Sequence, residues 1–214
     1  GSLFYLQGSD LMKYNGNGTS ELIKDFGSSG SSTLVLFKNK MLIIASTANP
    51  PSMHALYESD GSTSGTKLIK ELFTPNSNSY SANSFIINDL LYIVVEEKQI
   101  VRTDGTADGT FKLLDINENT RLNVYMVELN GTTWFTASTD PNDQYFRKLY
   151  TTDGTTAGTS PIDFVPAITT IQRLEKLDDK LYIRTSENLY SSDGSSGGTQ
   201  PISSEYSMFG AYKD

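Results

Sequence analysis

Apolar positions in this chain fall into short runs separated by polar turns, and the same order of runs returns along its length. Thr33 to Phe37 is followed by Lys38-Asn39-Lys40 and then Met41 to Ala45. Ser84 to Ile87, Asn88-Asp89 and Leu90 to Val95 repeat the arrangement. So do Val124 to Leu129, Asn130-Gly131 and Thr132 to Thr136, and Ile171 to Leu177, Asp178-Asp179 and Lys180 to Arg184. Two apolar runs around a short polar turn read as a β-hairpin. No segment shows helical periodicity beyond a turn or so, so the pattern predicts an all-β chain.

A second recurring stretch lies between these hairpins. Leu149 to Thr159 reads LYTTDGTTAGT, Leu56 to Thr66 LYESDGSTSGT, Ile100 to Thr110 IVRTDGTADGT and Leu189 to Thr199 LYSSDGSSGGT. A shortened copy, LMKYNGNGT, runs from Leu11 to Thr19. An aliphatic residue, then an aromatic or β-branched one, then small polar residues form a short strand that Asp-Gly ends. Asp accepts hydrogen bonds from backbone N–H groups two residues on, and Gly takes the positive φ of a tight turn. Asn15, Asp60, Asp104, Asp153 and Asp193 are therefore read as structural turn residues. An oxygen-rich loop of this kind could instead hold calcium. Each copy offers only one reliable carboxylate among Ser, Thr or Ala, and the first has Asn15 in its place, so the turn reading stands and no metal or cofactor is expected.

Further strands follow each turn, at Ser20 to Phe26, Lys67 to Phe73, Phe111 to Ile116, Ser160 to Phe164 and Gln200 to Ile202. A full repeat thus holds four strands joined up and down. The second glycine of the motif recurs every 40 to 49 residues, at Gly18, Gly65, Gly109, Gly158 and Gly198. Four-stranded repeats of this length predict a β-propeller, each sheet a blade. The expected arrangement is a single domain of residues 1–214 with blades at 207–214 with 1–26, 32–73, 81–116, 123–164 and 170–202. The ring would be closed by three N-terminal strands and one from the C-terminus, Ser207 to Tyr212. Phe4, Ile43, Tyr92, Trp134 and Tyr182 are aligned as one column, with Met12, Tyr57, Val101, Tyr150 and Tyr190 as another, and both are assigned to packing between blades.

Composition narrows the partners. At 214 residues, with 17 Lys and Arg against 25 Asp and Glu, the net charge of −8 disfavours a phosphate backbone, so nucleic acid is not expected. The absence of cysteine excludes disulfides and thiolate chemistry. The longest strand-like run, Leu90 to Val95, is far too short to cross a bilayer as a helix, so no membrane insertion is expected.

The repeats resemble a family of bacterial secreted and cell-surface proteins named for the motif Glu-Leu-Trp-x-x-Asp-Gly-Thr. Lys148 to Thr155, followed by Ala157-Gly158-Thr159, and Asn188 to Ser195 carry the likeness. Glu is absent from the first place, Tyr or Val replaces Trp, and the copy from Leu11 lacks the Asp. The resemblance implies a secreted or cell-surface location, with any signal peptide removed. It implies a scaffold role within adhesin-like proteins and no reaction.

Candidate chemistry is sparse. His54, the one histidine, is expected in a solvated loop from Ala48 to Ala55. A sugar-cleaving propeller would need two carboxylates near the channel. The innermost strands are expected at Ser32 to Leu36, Ser81 to Phe85, Asn123 to Val127, Ile171 to Glu175 and Ser207 to Ala211, where only Glu175 is acidic. The expected function is non-catalytic recognition or display, as a monomeric ring or part of a longer chain, with a glycan or a cell-surface or secreted protein as partner. A glycoside hydrolase and an architectural spacer are the alternatives. The long loops 46–54, 74–83, 117–121, 137–147 and 203–206 supply the ligand-binding candidates Tyr80, Asp140, Asn142, Asp143, Tyr145, Phe146 and Tyr206. Amide and carboxylate groups suit sugar hydroxyls, and aromatic rings suit sugar C–H faces or a protein partner.

Overall fold

A computed structural model of the chain describes residues 1–27, 32–47, 53–72, 82–95, 99–116, 124–138, 147–163, 168 and 170–203. Every helix or strand among them is a strand, and the strands form five antiparallel sheets in chain order. The chain divides into two compact units, Gly1–Lys112 and Leu113–Asp214.

The first unit opens with a sheet of three described strands, β1 (Leu3–Gln7), β2 (Asp10–Tyr14) and β3 (Ser20–Asp25). The second sheet runs β4 (Ser32–Phe37), β5 (Lys40–Thr47), β6 (Met53–Ser59) and β7 (Lys67–Leu72), each strand beside the next. The third holds β8 (Ala82–Ile87), β9 (Leu90–Val95), β10 (Gln99–Thr103) and β11 (Phe111–Asp115), the unit boundary falling inside β11. In the second unit lie a sheet of β12 (Met126–Leu129), β13 (Thr132–Ala137), β14 (Lys148–Thr152) and β15 (Ser160–Ile162), and one of β16 (Arg173–Leu177), β17 (Lys180–Arg184), β18 (Leu189–Ser192) and β19 (Gln200–Ser203). Such up-and-down sheets, one per repeat, are consistent with the blades of a five-bladed β-propeller. The strand expected from Ser207 to Tyr212 lies outside the described residues.

Turn chemistry fixes the first hairpin of the second, third and fourth sheets. Both central residues have positive φ at Lys38-Asn39 (47° and 61°), Asn88-Asp89 (50° and 59°) and Asn130-Gly131 (52° and 78°). That is the type I′ signature, whose twist matches the strands it joins. Asn, Asp and Gly tolerate it well; Lys38 is the exception.

Side chains alternate across a strand, and these sheets bury both faces. Ile43 and Ala45 of β5 pack with Leu11, Ile23 and Phe26 of the first sheet. Their neighbours Leu42 and Ile44, on the other face, pack with Leu91, Ile93 and Val95 of the third. In the second unit Leu129, Trp134 and Leu149 pack with Leu174, Leu181 and Ile183. A strand covered on both sides needs no polar alternation, which explains the unbroken apolar runs of β5 and β9.

Strand pairing corrects one alignment read from the sequence. Phe4 pairs with Lys13, Tyr92 with Arg102, Trp134 with Thr151 and Tyr182 with Ser191, while the matching partner of Glu58 in β6 is Leu42. Leu42 is therefore the fifth member of that column, not Ile43, which pairs with Tyr57. A slip of one residue crosses the sheet, and only the register reveals it.

Burial in β8 and β9 makes the packing testable. Ile93 is fully buried, whereas Ile86 is 52% exposed. Ile93→Ala is expected to cost about 2–5 kcal/mol in urea denaturation, as a large-to-small core change does, and Ile86→Ala well under about 1.5 kcal/mol.

Candidate functional site

The repeated motif folds into the same hydrogen-bonded cage four times. In the β6–β7 turn, Asp60 Oδ1 accepts from the backbone N–H of Ser62 (2.9 Å) and from its hydroxyl (2.7 Å). The Ser62 hydroxyl accepts in turn from Gly65 N (2.9 Å). Thr66 donates its one hydroxyl hydrogen to Ser62 O at 2.7 Å, so Ser59 is the donor in the 2.7 Å hydroxyl pair between Ser59 and Thr66. Ser59 Oγ also accepts from Gly61 N (3.1 Å). Thr103 to Thr110, Thr152 to Thr159 and Ser192 to Thr199 repeat these bonds, with Asp104, Asp153 and Asp193 at their centres.

The two glycines of the motif have different reasons. Gly61, Gly105, Gly154 and Gly194 have φ near +90°, as the Asp-Gly reading requires. Gly61 also sits on Phe4 of the preceding sheet, where an added Cβ would overlap the ring, and Gly194 sits on Trp134, 2.9 Å from a Cβ. The second glycine, at 65, 109, 158 and 198, has no such φ. A Cβ there would overlap the carboxylate of its own cage, so glycine makes room for the Asp. Neighbouring sheets brace the turns as well: Lys70 Nζ donates to Ala107 O (3.0 Å) and Thr110 O (2.6 Å).

Hydrogen bonds from Ser62, first its hydroxyl and then its N–H, hold the Asp60 carboxyl below the usual carboxylate range. Thr106, Thr155 and Ser195 do the same for Asp104, Asp153 and Asp193. These carboxylates are thus kept charged as acceptors.

The first copy breaks the pattern. Tyr14-Asn15-Gly16-Asn17-Gly18-Thr19 is two residues shorter, with Tyr14 where the others have Ser or Thr. Here Asn15 Nδ2 donates to Thr19 Oγ1 (3.2 Å), Asn17 Oδ1 accepts from Thr19 N (3.1 Å) and its hydroxyl (2.6 Å), and Gly18 N donates to Tyr14 Oη (3.2 Å). Nothing lies within 4 Å of a Cβ placed on Gly16. A hollow of about 400 Å³ opens at this turn, lined by Gly1, Ser2, Leu3, Lys13, Tyr14, Asn15 and Gly16.

Tyr80, Asp140, Asn142, Asp143, Tyr145, Phe146 and Tyr206 lie outside the described residues. Other expectations change. His54 is not a solvated loop residue: it stands in β6, pairs with Ser46 and Leu72, and is 2% exposed. Arg147, at the end of the loop 137–147 and just before β14, is fully buried. The first strand of the fourth sheet begins at Met126 and reaches Leu129, later than Asn123 to Val127, so Glu128 joins Glu175 as an acidic residue on a first strand. Glu175 accepts from Arg173 Nε (2.8 Å) and Nη2 (2.7 Å). Glu128 accepts from Lys176 Nζ (2.7 Å) and Gly131 N (2.7 Å), in that order the causes that hold its pKa below the usual range. Among the described residues no three His, Cys, Asp or Glu side chains gather as a metal site would require.

No family model matches the sequence, and no curated protein matches it. Solved structures match in fold. An oligogalacturonate lyase in complex with manganese aligns with a TM-score of 0.54 at 11% identity, over 99% of this chain and 64% of that one. The β-propeller domain of the Trilobed protease from Pyrococcus furiosus, described as having an open velcro topology, aligns at 0.44 and 15% identity, over 90% and 62%. An α-L-arabinofuranosidase from Fusarium graminearum aligns at 0.37 and 8% identity, over 90% and 72%. The chain therefore spans less than two thirds of the first two, and the likeness is one of fold alone.

Two glycines of neighbouring turns separate the cage from general flexibility. Gly158→Ala is expected to displace Asp153 and cost about 1–3 kcal/mol in thermal denaturation, the scale of losing such bonds. Gly197 has open space around its Cβ position and no positive φ, so Gly197→Ala should be neutral or stabilising by up to about 1 kcal/mol. The depressed Asp pKa values also set a pH dependence. A carboxyl with a folded pKa below its unfolded value near 3.9 contributes stability above that value and loses it as pH falls through the folded pKa. Melting temperature should drop through this acid window, and the drop should be smaller in Asp153→Asn.

Proposed function

We propose that the chain is a non-catalytic, secreted or cell-surface recognition module, a five-bladed propeller that presents loops of unequal length to a glycan. The observation that carries this reading is the cage. In four of five repeats the Asp, the Ser or Thr on either side of the Asp-Gly pair, the last Thr and both recurring glycines of the motif are used in holding the turn, so the repeated chemistry serves the scaffold. Recognition then falls to the segments that differ between repeats. The likeness to the Glu-Leu-Trp-x-x-Asp-Gly-Thr repeats supports the same location and role.

The closure of the ring expected from the sequence, by a strand from Ser207 to Tyr212, is part of this proposal. Removing residues 207–214 is expected to lower the melting temperature by several degrees, with partial recovery when the missing segment is added as a peptide.

A hydrolase is the second reading, and Glu128 and Glu175 are its carboxylates. A general acid needs a raised pKa. Lys176 and Gly131 N hold Glu128 in the opposite direction, and Glu175 is tied to Arg173.

A glycan array on the purified chain, with a parallel assay for reducing ends released from the bound polysaccharides, tests both. Saturable binding that weakens at least about tenfold in Tyr145→Ala/Phe146→Ala, with no reducing ends released, is expected. Failure to bind any glycan overturns the glycan reading. Release of reducing ends that stops in Glu175→Gln establishes the hydrolase.

A further inference from the structure

We infer that Asn15 is a site of chemical modification: its side-chain amide is lost through attack by the backbone nitrogen of Gly16, while the fold shields the chain's other Asn-Gly pairs from the same reaction. This inference is independent of the glycan reading above. The sequence holds three such pairs, Asn15-Gly16, Asn17-Gly18 and Asn130-Gly131. Glycine after asparagine hinders the attack least, because it has no side chain. The pairs are alike in sequence, so hydrogen bonding decides between them.

In the reaction Gly16 N gives its proton to hydroxide, and its electron pair forms a bond to Asn15 Cγ. The Cγ–Nδ2 bond breaks, and Nδ2 takes up a proton and leaves as ammonia. The product is a five-membered cyclic imide. Water opens it at Cγ, which leaves an aspartate in a normal chain, or at the Asn15 carbonyl carbon, which leaves an isoaspartate whose chain runs through the former side chain. Water is consumed and ammonia released in equal amounts. The first step needs a glycine N–H that is not already donating.

Both other pairs have that N–H engaged. Gly131 N donates to Glu128 Oε1 at 2.7 Å, and a bond to a carboxylate is stronger than one to a neutral acceptor. Gly18 N donates to Tyr14 Oη (3.2 Å), and Asn17 Oδ1 accepts from Thr19 N (3.1 Å) and its hydroxyl (2.6 Å). In the four complete turns the equivalent of Gly16 N is held by the hydroxyl two residues earlier: Gly61 by Ser59, Gly105 by Thr103, Gly154 by Thr152 and Gly194 by Ser192. The first turn has Tyr14 at that place, and its hydroxyl is engaged with Gly18 instead. Among the described residues Gly16 N–H has no acceptor, and the Asn15 side chain is held by a single bond of 3.2 Å, from Nδ2 to Thr19 Oγ1. All of these bonds lie within one turn. Water access is equally local: at the place of Asn15, Asp60 and Asp193 are exposed although Gly61 and Gly194 beside them rest on Phe4 and Trp134 of a neighbouring sheet.

The product alters the turn. A carboxylate at position 15 has no hydrogen to give Thr19 Oγ1, whose own hydrogen goes to Asn17 Oδ1. An isoaspartate also lengthens the backbone by one carbon inside the turn that Asn15 N closes on Thr19 O at 3.0 Å.

Incubation of the whole chain in mildly alkaline buffer, followed by peptide mapping with mass spectrometry that distinguishes aspartate from isoaspartate, tests the site. Asn15 is expected to convert at least about tenfold faster than Asn130, where a bond to a carboxylate must break first, and several-fold faster than Asn17. Tyr14→Ser restores the acceptor and should slow Asn15 several-fold, whereas Tyr14→Ala offers none and should leave the rate high. Glu128→Ala frees Gly131 N and should speed Asn130. In urea the three sites should convert at similar rates, which separates the contribution of the fold from that of the sequence. Slow conversion of Asn130 in the Tyr14 variants shows that they are folded. Conversion of Asn17 or Asn130 as fast as Asn15 in the folded chain would overturn the inference. So would an Asn15 rate left unchanged by Tyr14→Ser while Asn130 stays slow.

Discussion

The structure depends on a carboxylate held against a glycine. In each complete turn the Asp lies where the Cβ of the second glycine would be, so the turn can close only if that residue has no side chain. The following Ser or Thr then donates twice to the same oxygen, and the last Thr ties the two strand ends together. The bonds are short, repeated in four turns, and leave each Asp charged. Because the first glycine of the turn also rests on an aromatic ring of the preceding sheet at Gly61 and Gly194, closing a turn and packing two sheets are one event.

That coupling explains why the sheets can be so apolar. A strand such as β5 sends Leu42 one way and Ile43 the other, and both are buried. Neither face needs to be polar when each is covered by a neighbour. In the first sheet Leu3 and Tyr14 are exposed where their equivalents in the other sheets are buried. Function in a repeat architecture is accordingly sought where the repeat fails, since the intact copies are occupied with holding themselves together.

Legibility differed by element. The Asp-Gly turns, their positive-φ glycines and the hairpins at Lys38-Asn39, Asn88-Asp89 and Asn130-Gly131 were readable because each depends on a few residues adjacent in sequence. The column of Phe4, Tyr92, Trp134 and Tyr182 was readable as aromatic, but its member in β5 was misread by one residue. In Met41 to Ala45 every position is apolar, so nothing local says which side chain points where. His54 was misread for a related reason. A polar side chain near a loop looks solvated until the strand that carries it is seen to enter the core. Glu128 escaped notice because the end of β12 is set by pairing with β13, not by composition. The ligand-binding loops had no periodicity to read.

By itself, the amino-acid sequence determined the all-β class, the repeat, the four strands of the second to fifth sheets and the identity of the turns. All of these follow from short-range rules: alternation, turn propensity and spacing. Only the tertiary structure decided which apolar residue faces which sheet, why the second glycine is required, and that the shortened first copy opens a hollow where the others close a cage. Those answers depend on atoms brought together from different strands, such as Gly61 on Phe4 and Gly194 on Trp134, and no local pattern encodes a contact of that range.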